Sequence, residues 1–265
     1  MDCNLMPILL IFLLLLSASL EPVWAQVGAN AKSQKVLVIR IEGSISNKVL
    51  ESVRVSVDQV QGDPRPAGLI VLLDSSGGDG NAAMKIGRLL RRSKAHIFVT
   101  GQCLSACTYV LASGVVRGAS AYTVGIHRGR ITISDADAKV LKEVDVSKDQ
   151  AAEKMLKDFE RDAAFYFAEM GMPADLFRVM QAHEKKGVYR LSAREMLFYG
   201  LVGFDPNYLE HRTLEYESLK SPNRLDQNEL VQRTAKVASI CSEHKKNASD
   251  FVQCYKNVLK DPYLH

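Results

Sequence analysis

Three short stretches of the sequence carry residues that could perform acyl-transfer chemistry. Ser105 lies between two apolar runs, so its hydroxyl could act as a nucleophile beside the N–H groups of a helix's first turn. His127 ends another apolar run and could serve as its general base. Gly77 and Gly78 follow a third run, where glycine lets backbone N–H groups approach a ligand closely. Taken singly, each has a simpler explanation: a helix cap, a structural histidine and an ordinary turn.

The elements that must position these residues are predicted by the apolar pattern. Strands and helices alternate roughly every thirty residues, which predicts an α/β fold with largely parallel sheets. The expected strands cover residues 35–42, 67–73, 96–100, 119–126 and 201–204; the expected helices cover 47–60, 81–92, 105–115 and 192–200. The carboxyl ends of parallel strands meet along one edge of a sheet, so nucleophile, base and glycine turn are predicted to converge there.

The remainder of the chain is expected to be helical. Residues 134–182 are charged and helix-prone, and Ser192 with Glu195 forms a capping box. Two amphipathic helices are predicted at 227–243 and 247–260, which would make a C-terminal helical hairpin. The composition, 47% hydrophobic and 24% charged, is that of a globular protein and argues against disorder. The excess of basic residues is small and dispersed, and no nucleic-acid-binding motif accompanies it, so nucleic acid is not an expected partner.

The N-terminus resembles a secretory signal peptide. Residues 7–20 are almost wholly apolar, and Val23-Trp24-Ala25 fits a cleavage site. We expect residues 1–25 to be removed and 26–34 to form a flexible lead-in. The mature protein is then periplasmic or secreted; if cleavage fails, the segment becomes a membrane anchor.

The cysteines that remain after cleavage are expected to form disulfides, because export places them in an oxidising compartment. Four cysteines allow three pairings. Cys103 and Cys107 flank one turn, which puts their Cα atoms about 6 Å apart. We predict a bridge between them and a second between Cys241 and Cys254, with two free buried thiols at 103 and 107 as the alternative. No metal site is expected, since neither spacing has a histidine pair beside it.

Four motifs in order resemble those of the Clp protease proteolytic subunit and, more broadly, of the crotonase-like superfamily that includes signal peptide peptidase A. They lie at residues 75–78 (Ser-Ser-Gly-Gly), 101–105 (Gly-Gln-Cys-Leu-Ser), 126–127 (Ile-His), and 191–193 with 199–202 (Leu-Ser-Ala and Tyr-Gly-Leu-Val). The resemblance implies a Clp-type repeated β-β-α spiral with parallel sheets over residues 35–206, followed by a helical appendage at 207–265.

The resemblance also implies roles for individual residues. Ser105 would be the nucleophile, His127 the general base, and the N–H groups of Gly78 and Ala106 the oxyanion hole. The implied activity is hydrolysis of short or unfolded peptides without a cofactor. The sequence carries no ATPase motif, so no ATPase partner is expected. Family members assemble into rings through the segment after the base, here residues 134–182, which implies a homo-oligomer.

One position departs from the family pattern. Relatives carry a carboxylate three residues before the Leu-Ser-Ala segment, where it orients the histidine; this chain has Val188. Glu184 and Asp175 are the nearest upstream acids and the candidates to replace it. Loss of an orienting acid alone costs a serine protease about 10⁴ in rate. The alternative is therefore a catalytically inactive scaffold or binding protein with the same fold.

Three further alternatives have weaker support in the sequence. A Ser–Lys dyad could draw on Lys139, Lys142 or Lys148, although solvated lysines on a charged face explain them better. A zinc-protease site beginning at His183 lacks its second histidine, because Gly187 stands there. An acyl-CoA enzyme is disfavoured by the Ser–His pair and by export away from CoA.

Overall fold

The protein is described here from a computed structural model. The structure describes residues 36–61, 68–135, 140–183, 187–218 and 227–260. The predicted signal peptide and lead-in lie outside these ranges. Within them, no helix combines the length and the apolar character that crossing a membrane requires.

The described strands form one large sheet and one small hairpin. Their bounds are β1 Val36–Ile45, β2 Gly68–Gly78, β3 His96–Leu104, β4 Val116–Gly118, β5 Val124–Ile126, β6 Thr132–Ser134, β7 Val140–Glu143, β8 Tyr189–Arg190 and β9 Gly203–Phe204. The large sheet has the order β1-β2-β3-β4-β9, and β5 pairs with both β3 and β8. Strands β1 to β4 pair in parallel, as does β5 with β3. The predicted α/β fold with a largely parallel sheet is therefore confirmed.

The described helices lie between these strands and after the last of them. Their bounds are α1 Asn47–Gln61, α2 Gly80–Arg92, α3 Cys107–Ala112, α4 Gln150–Glu169, α5 Ala174–Ala182, α6 Ala193–Phe198, α7 Pro206–Ser218, α8 Gln227–Ile240 and α9 Ala248–Leu259. Helices α8 and α9 form the predicted C-terminal hairpin. The Cys241–Cys254 disulfide joins the turn after α8 to α9, with Cα atoms 5.7 Å apart, which confirms that pairing.

The sheet is buried on both faces, as a continuous apolar strand requires. In β2, Leu69, Val71 and Leu73 face a core that helices α1 to α5 cover. The alternate residues Ile70 and Leu72 face a second core, which is closed by α8, α9 and the turn between them. The hairpin thus forms a second layer directly on the sheet that carries the candidate site.

Three predicted elements differ from the structure. The glycine turn at 74–80 is strand as far as Gly78, because β2 continues to pair with β1 through that residue. Of the expected strand at 119–126 only residues 124–126 are strand, as β5, because a turn precedes them in which Tyr122 has a φ of +65° and the Thr123 hydroxyl donates to the carbonyl of Ser120. The helix-prone region 134–182 begins at the end of β6 and contains β7, and all strand residues of the β6–β7 hairpin are exposed. Helix α7 lies in the segment predicted as a helical appendage, although no individual helix was delimited there.

Candidate active site

Ser105 occupies a strained turn between β3 and α3. Its φ is +54°, in the left-handed region that non-glycine residues rarely adopt. The predicted helix start at Ser105 is wrong, because α3 begins at Cys107 with Ala106 as its capping residue. The Ser105 N–H donates to the carbonyl of Gly125 at 2.8 Å, and its own carbonyl accepts from Thr108 at 3.0 Å. These two bonds hold the strained residue from both sides.

The disulfide predicted next to Ser105 is confirmed. Cys103 and Cys107 are bonded, with their Cα atoms 5.1 Å apart. Both residues are fully buried. The bridge therefore joins the end of β3 to the start of α3 beneath the turn. We call residues 103–107 the nucleophile turn.

Gly77 packs directly against the nucleophile turn. A Cβ atom added to Gly77 would lie 2.7 Å from the Cβ of Ser105 and 2.7 Å from the carbonyl oxygen of Leu104. Its φ of +98° also requires glycine. The Gly77 N–H donates to the hydroxyl of Ser75, which in turn donates to the carbonyl of Gly43 in β1. The end of β2 is thus fixed between β1 and the turn.

The predicted oxyanion-hole positions lie around this contact. The Ala106 N–H has no acceptor among the residues that the structure describes. The same hypothetical Cβ on Gly77 would lie 3.1 Å from the Ala106 nitrogen, so the glycine segment borders that donor. Gly78 follows with a φ of +139° and is exposed. The assignment of Gly78 and Ala106 remains a prediction.

His127 directly follows β5, the strand that pairs with the end of β3. The parallel register sets Leu104 opposite Gly125, so Ser105 and His127 emerge at the same edge of the sheet. The His127 Nδ1 lies 2.6 Å from the carbonyl oxygen of Arg128. With Nδ1–H as the donor, Nε2 is left unprotonated and basic. No hydrogen bond joins Ser105 to His127 in the described part of the chain.

The surroundings of His127 favour its neutral form. Burial of the ring lowers its pKa below the usual value of 6.5, and the charge of Arg130 lowers it further. The bond to Arg128 and the charge of Glu143 oppose this shift. Arg130 lies just before β6, and Glu143 is the last residue of β7. The two side chains form an ion pair at 3.5 Å. A neutral imidazole at neutral pH is the form that a general base needs.

Val188 stands where the orienting acid was sought. The antiparallel register of β5 with β8 sets Ile126 opposite Tyr189, and continuing it by one residue places the backbone of Val188 opposite that of His127. A Cβ on Gly125 would lie 2.3 Å from a Val188 methyl group, which shows how closely the valine packs on this strand. Asp175 forms an ion pair with Arg178 at 2.8 Å, while the charges that act on His127 are Arg130 and Glu143.

Other candidates from the sequence lie at the surface or outside the description. Glu184 and Lys139 lie outside the described residues. Lys142 is exposed on β7, and Lys148 pairs with Asp145 at 3.2 Å on the surface. No group of three or more histidine, cysteine or acidic side chains in the described ranges could hold a metal ion.

Sequence reasoning missed two contributors to the site's geometry. One is the Arg128 carbonyl, which has no sequence signal because every residue carries one. The other is Asp74, which accepts hydrogen bonds from the Gln102 N–H at 3.1 Å and the Lys245 ammonium at 2.9 Å. Asp74 directly precedes the Ser-Ser-Gly-Gly motif, but its cationic partner lies in the C-terminal hairpin.

Comparison with known proteins concerns the fold. No family model matches the sequence, and no curated protein matches it. The chain is similar to a mutant of the 1510-N membrane-bound stomatin-specific protease, with 20% identity and a TM-score of 0.48 over 68% of this chain and 85% of that one. It is also similar to a mutant of ClpP1 from Listeria monocytogenes, with 16% identity and a TM-score of 0.47 over 62% of this chain and 87% of that one. Neither likeness carries a residue role over to this chain.

Proposed function

We propose that this chain is a serine peptidase that uses Ser105 and His127. The observation that carries the proposal is the strained Ser105 turn. A φ of +54° is maintained by a buried disulfide, by Gly77 and by the strand that ends at the base. Such strain persists only where the surroundings enforce it, and it is concentrated at functional sites.

The chemistry follows from the positions of these groups. The Ser105 Oγ attacks the peptide carbonyl carbon while His127 Nε2 takes the hydroxyl proton. The N–H groups of Gly78 and Ala106 stabilise the resulting oxyanion. His127 then gives the proton to the departing amine, leaving an acyl-enzyme. A water molecule, deprotonated by the same nitrogen, hydrolyses the ester and releases the acid.

The missing carboxylate makes this a dyad. The Arg128 carbonyl can fix the histidine tautomer, the role that the acid performs in a triad. A neutral carbonyl cannot match the electrostatic stabilisation that a carboxylate gives to the imidazolium. We therefore expect slow hydrolysis of short or unfolded peptides, by an exported protein without an ATPase partner, in a homo-oligomer.

A non-catalytic scaffold is the second candidate. It is favoured by Val188 opposite His127 and by the lack of a Ser105–His127 hydrogen bond among the described residues. In a scaffold the turn would serve only to position a binding surface. The two candidates differ in one property, the nucleophilicity of Ser105.

Labelling with a fluorophosphonate probe tests that property. The wild type should be labelled, Ser105→Ala should not be labelled, and Ser52→Ala, on the exposed surface of α1, should react as the wild type does. A correctly folded wild-type protein that resists the probe would establish the scaffold and reject the peptidase.

A further inference from the structure

Lys245 of the C-terminal hairpin contacts Asp74, which in turn holds the residue before the nucleophile turn. Lys245 follows the turn Cys241–His244, which the second disulfide anchors. The Lys245 ammonium lies 2.9 Å from Asp74 Oδ2, and its carbonyl accepts from Arg40 of β1 at 2.6 Å. The hairpin is therefore tied to β1 and β2 where β2 approaches the site.

Asp74 also binds β3, the strand that leads to Ser105. Its Oδ1 accepts from the Gln102 N–H at 3.1 Å. The carboxylate also lies directly on Gly101, where an added Cβ would be 2.1 Å from the Asp74 Cγ. Gln102 immediately precedes the nucleophile turn. Any displacement of the Asp74 carboxylate would consequently act on the backbone three residues before Ser105.

The other side of Gln102 connects with the strand beside the base. Its side-chain oxygen accepts from Arg190 of β8 at 3.4 Å, and Arg190 also donates to the carbonyl of Tyr122 at 2.8 Å. In the antiparallel register, Arg190 of β8 lies opposite Gly125 of β5. The carbonyl of Gly125 accepts a hydrogen bond from the Ser105 N–H. Gln102 is thus held between the hairpin's lysine and the strand next to His127.

We propose that Lys245 and Asp74 are positioning residues for Ser105. This inference rests on the proposed function and extends it to the C-terminal hairpin. Lys245 lowers the pKa of Asp74 through the hydrogen bond between them, and the same ammonium fixes the carboxylate whose other oxygen accepts from the Gln102 N–H. The pair sets the path of β3 into the nucleophile turn, so its loss should act on the placement of Ser105.

The test compares Lys245→Ala with Lys246→Ala, which removes an exposed charge from the adjacent position. Lys245→Ala should lower kcat for peptide hydrolysis about tenfold, as small misplacements of reacting groups do. KM should change less than about twofold, and Lys245→Arg should restore part of the rate. Asp74→Asn should cause a similar loss, and combining it with Lys245→Ala should add little. Lys246→Ala should retain the wild-type kcat.

A second measurement separates this inference from the proposed function. Backbone amide exchange across residues 102–106 should be faster in Lys245→Ala than in the wild type and unchanged in Lys246→Ala. Unchanged exchange, or a wild-type kcat in Lys245→Ala, would overturn the positioning role. A wild type that is neither active nor labelled at Ser105 would reject the peptidase, while the exchange comparison would still decide whether Lys245 orders the turn.

Discussion

The nucleophile turn and the segment that carries the base are held in very different ways. The turn has a buried disulfide, a tight glycine contact and a hydrogen bond on either side of Ser105. Among the described residues, the hydrogen bond found for the His127 ring is to the carbonyl of the next residue, and Val188 packs on Gly125, two positions before it. Beyond it, the β6–β7 hairpin is exposed along both strands.

This difference separates geometry from charge. The turn's constraints are covalent and steric, so changes there should disturb the placement of the Ser105 oxygen. The histidine is controlled by burial, one backbone hydrogen bond and two nearby charges, so changes there should alter how readily the ring accepts a proton. If changes at the nucleophile turn and changes at His127 each alter the reaction rate, Ser105 and His127 act together as a dyad.

The largest loss is expected from Gly77→Ala. The new methyl group would meet Leu104 and Ser105 at 2.7 Å, in a backbone conformation that alanine disfavours. The strained φ alone costs about 1–3 kcal/mol, and displacement of Ser105 should slow probe labelling about 100-fold. Labelling rate and thermal unfolding measure the two effects.

Gly43→Ala is the matched control for backbone strain. Gly43 also has a positive φ, of +74°, but a Cβ there would meet no atom within 4 Å. This variant should lose stability and keep most of its labelling rate. Equal labelling losses in the two variants would mean that general destabilisation, and not contact with the nucleophile turn, explains the effect of Gly77→Ala.

Removing each disulfide in turn gives the next largest effect. The chain-entropy relation assigns about 2 kcal/mol to a loop with the spacing of Cys103 and Cys107, and about 3 kcal/mol to that of Cys241 and Cys254. Replacing the first pair by alanine should nevertheless slow labelling about tenfold. Replacing the second pair should lower the unfolding temperature more and the labelling rate less.

The order of these two effects is the informative result. If both double variants lose labelling in proportion to stability, the bridge beside Ser105 has no special relation to catalysis. Unfolding and labelling must therefore be measured on the same preparations, at a temperature where both variants are folded.

Local patterns predicted what local chemistry determines. Apolar runs located β1, β2 and β3, and the position of Ser105 and His127 at one edge of the sheet followed from the parallel arrangement of strand ends. Cysteine spacing predicted the Cys103–Cys107 disulfide, and the expected helical hairpin predicted the Cys241–Cys254 disulfide. The extension of β2 through its glycines depends on pairing with a distant strand, so composition indicated a turn instead. The Asp74–Lys245 contact spans 171 positions and left no local trace.

Val188→Asp should strengthen the weaker half of the site. An ionised carboxylate opposite His127 would raise the pKa of the histidine and stabilise the imidazolium formed during attack. Wild-type labelling should increase with pH through a pKa below 6.5, because the neutral ring is the base. In Val188→Asp that limb should move to higher pH, and the plateau rate should increase several-fold.

Val188→Asn controls for polarity and size without adding charge. In this variant, the pH range over which labelling increases should be nearly the same as in the wild type. A limb that stays in place in Val188→Asp, or that survives in His127→Ala, would show that labelling is controlled by a group other than His127 and would return attention to a lysine base.

The smallest expected effect is a shift in the pKa of His127, which should have opposite directions when Arg130 and when Glu143 is replaced. Arg130 lowers the pKa of His127 and Glu143 raises it. Arg130→Gln should therefore raise the pKa of His127 and move the labelling limb to higher pH, whereas Glu143→Gln should move it to lower pH. Both side chains are partly exposed, so the shifts should shrink as salt is added. Shifts of the same sign would contradict a charge effect on His127 and indicate that either substitution simply disorders the β6–β7 hairpin beside the base.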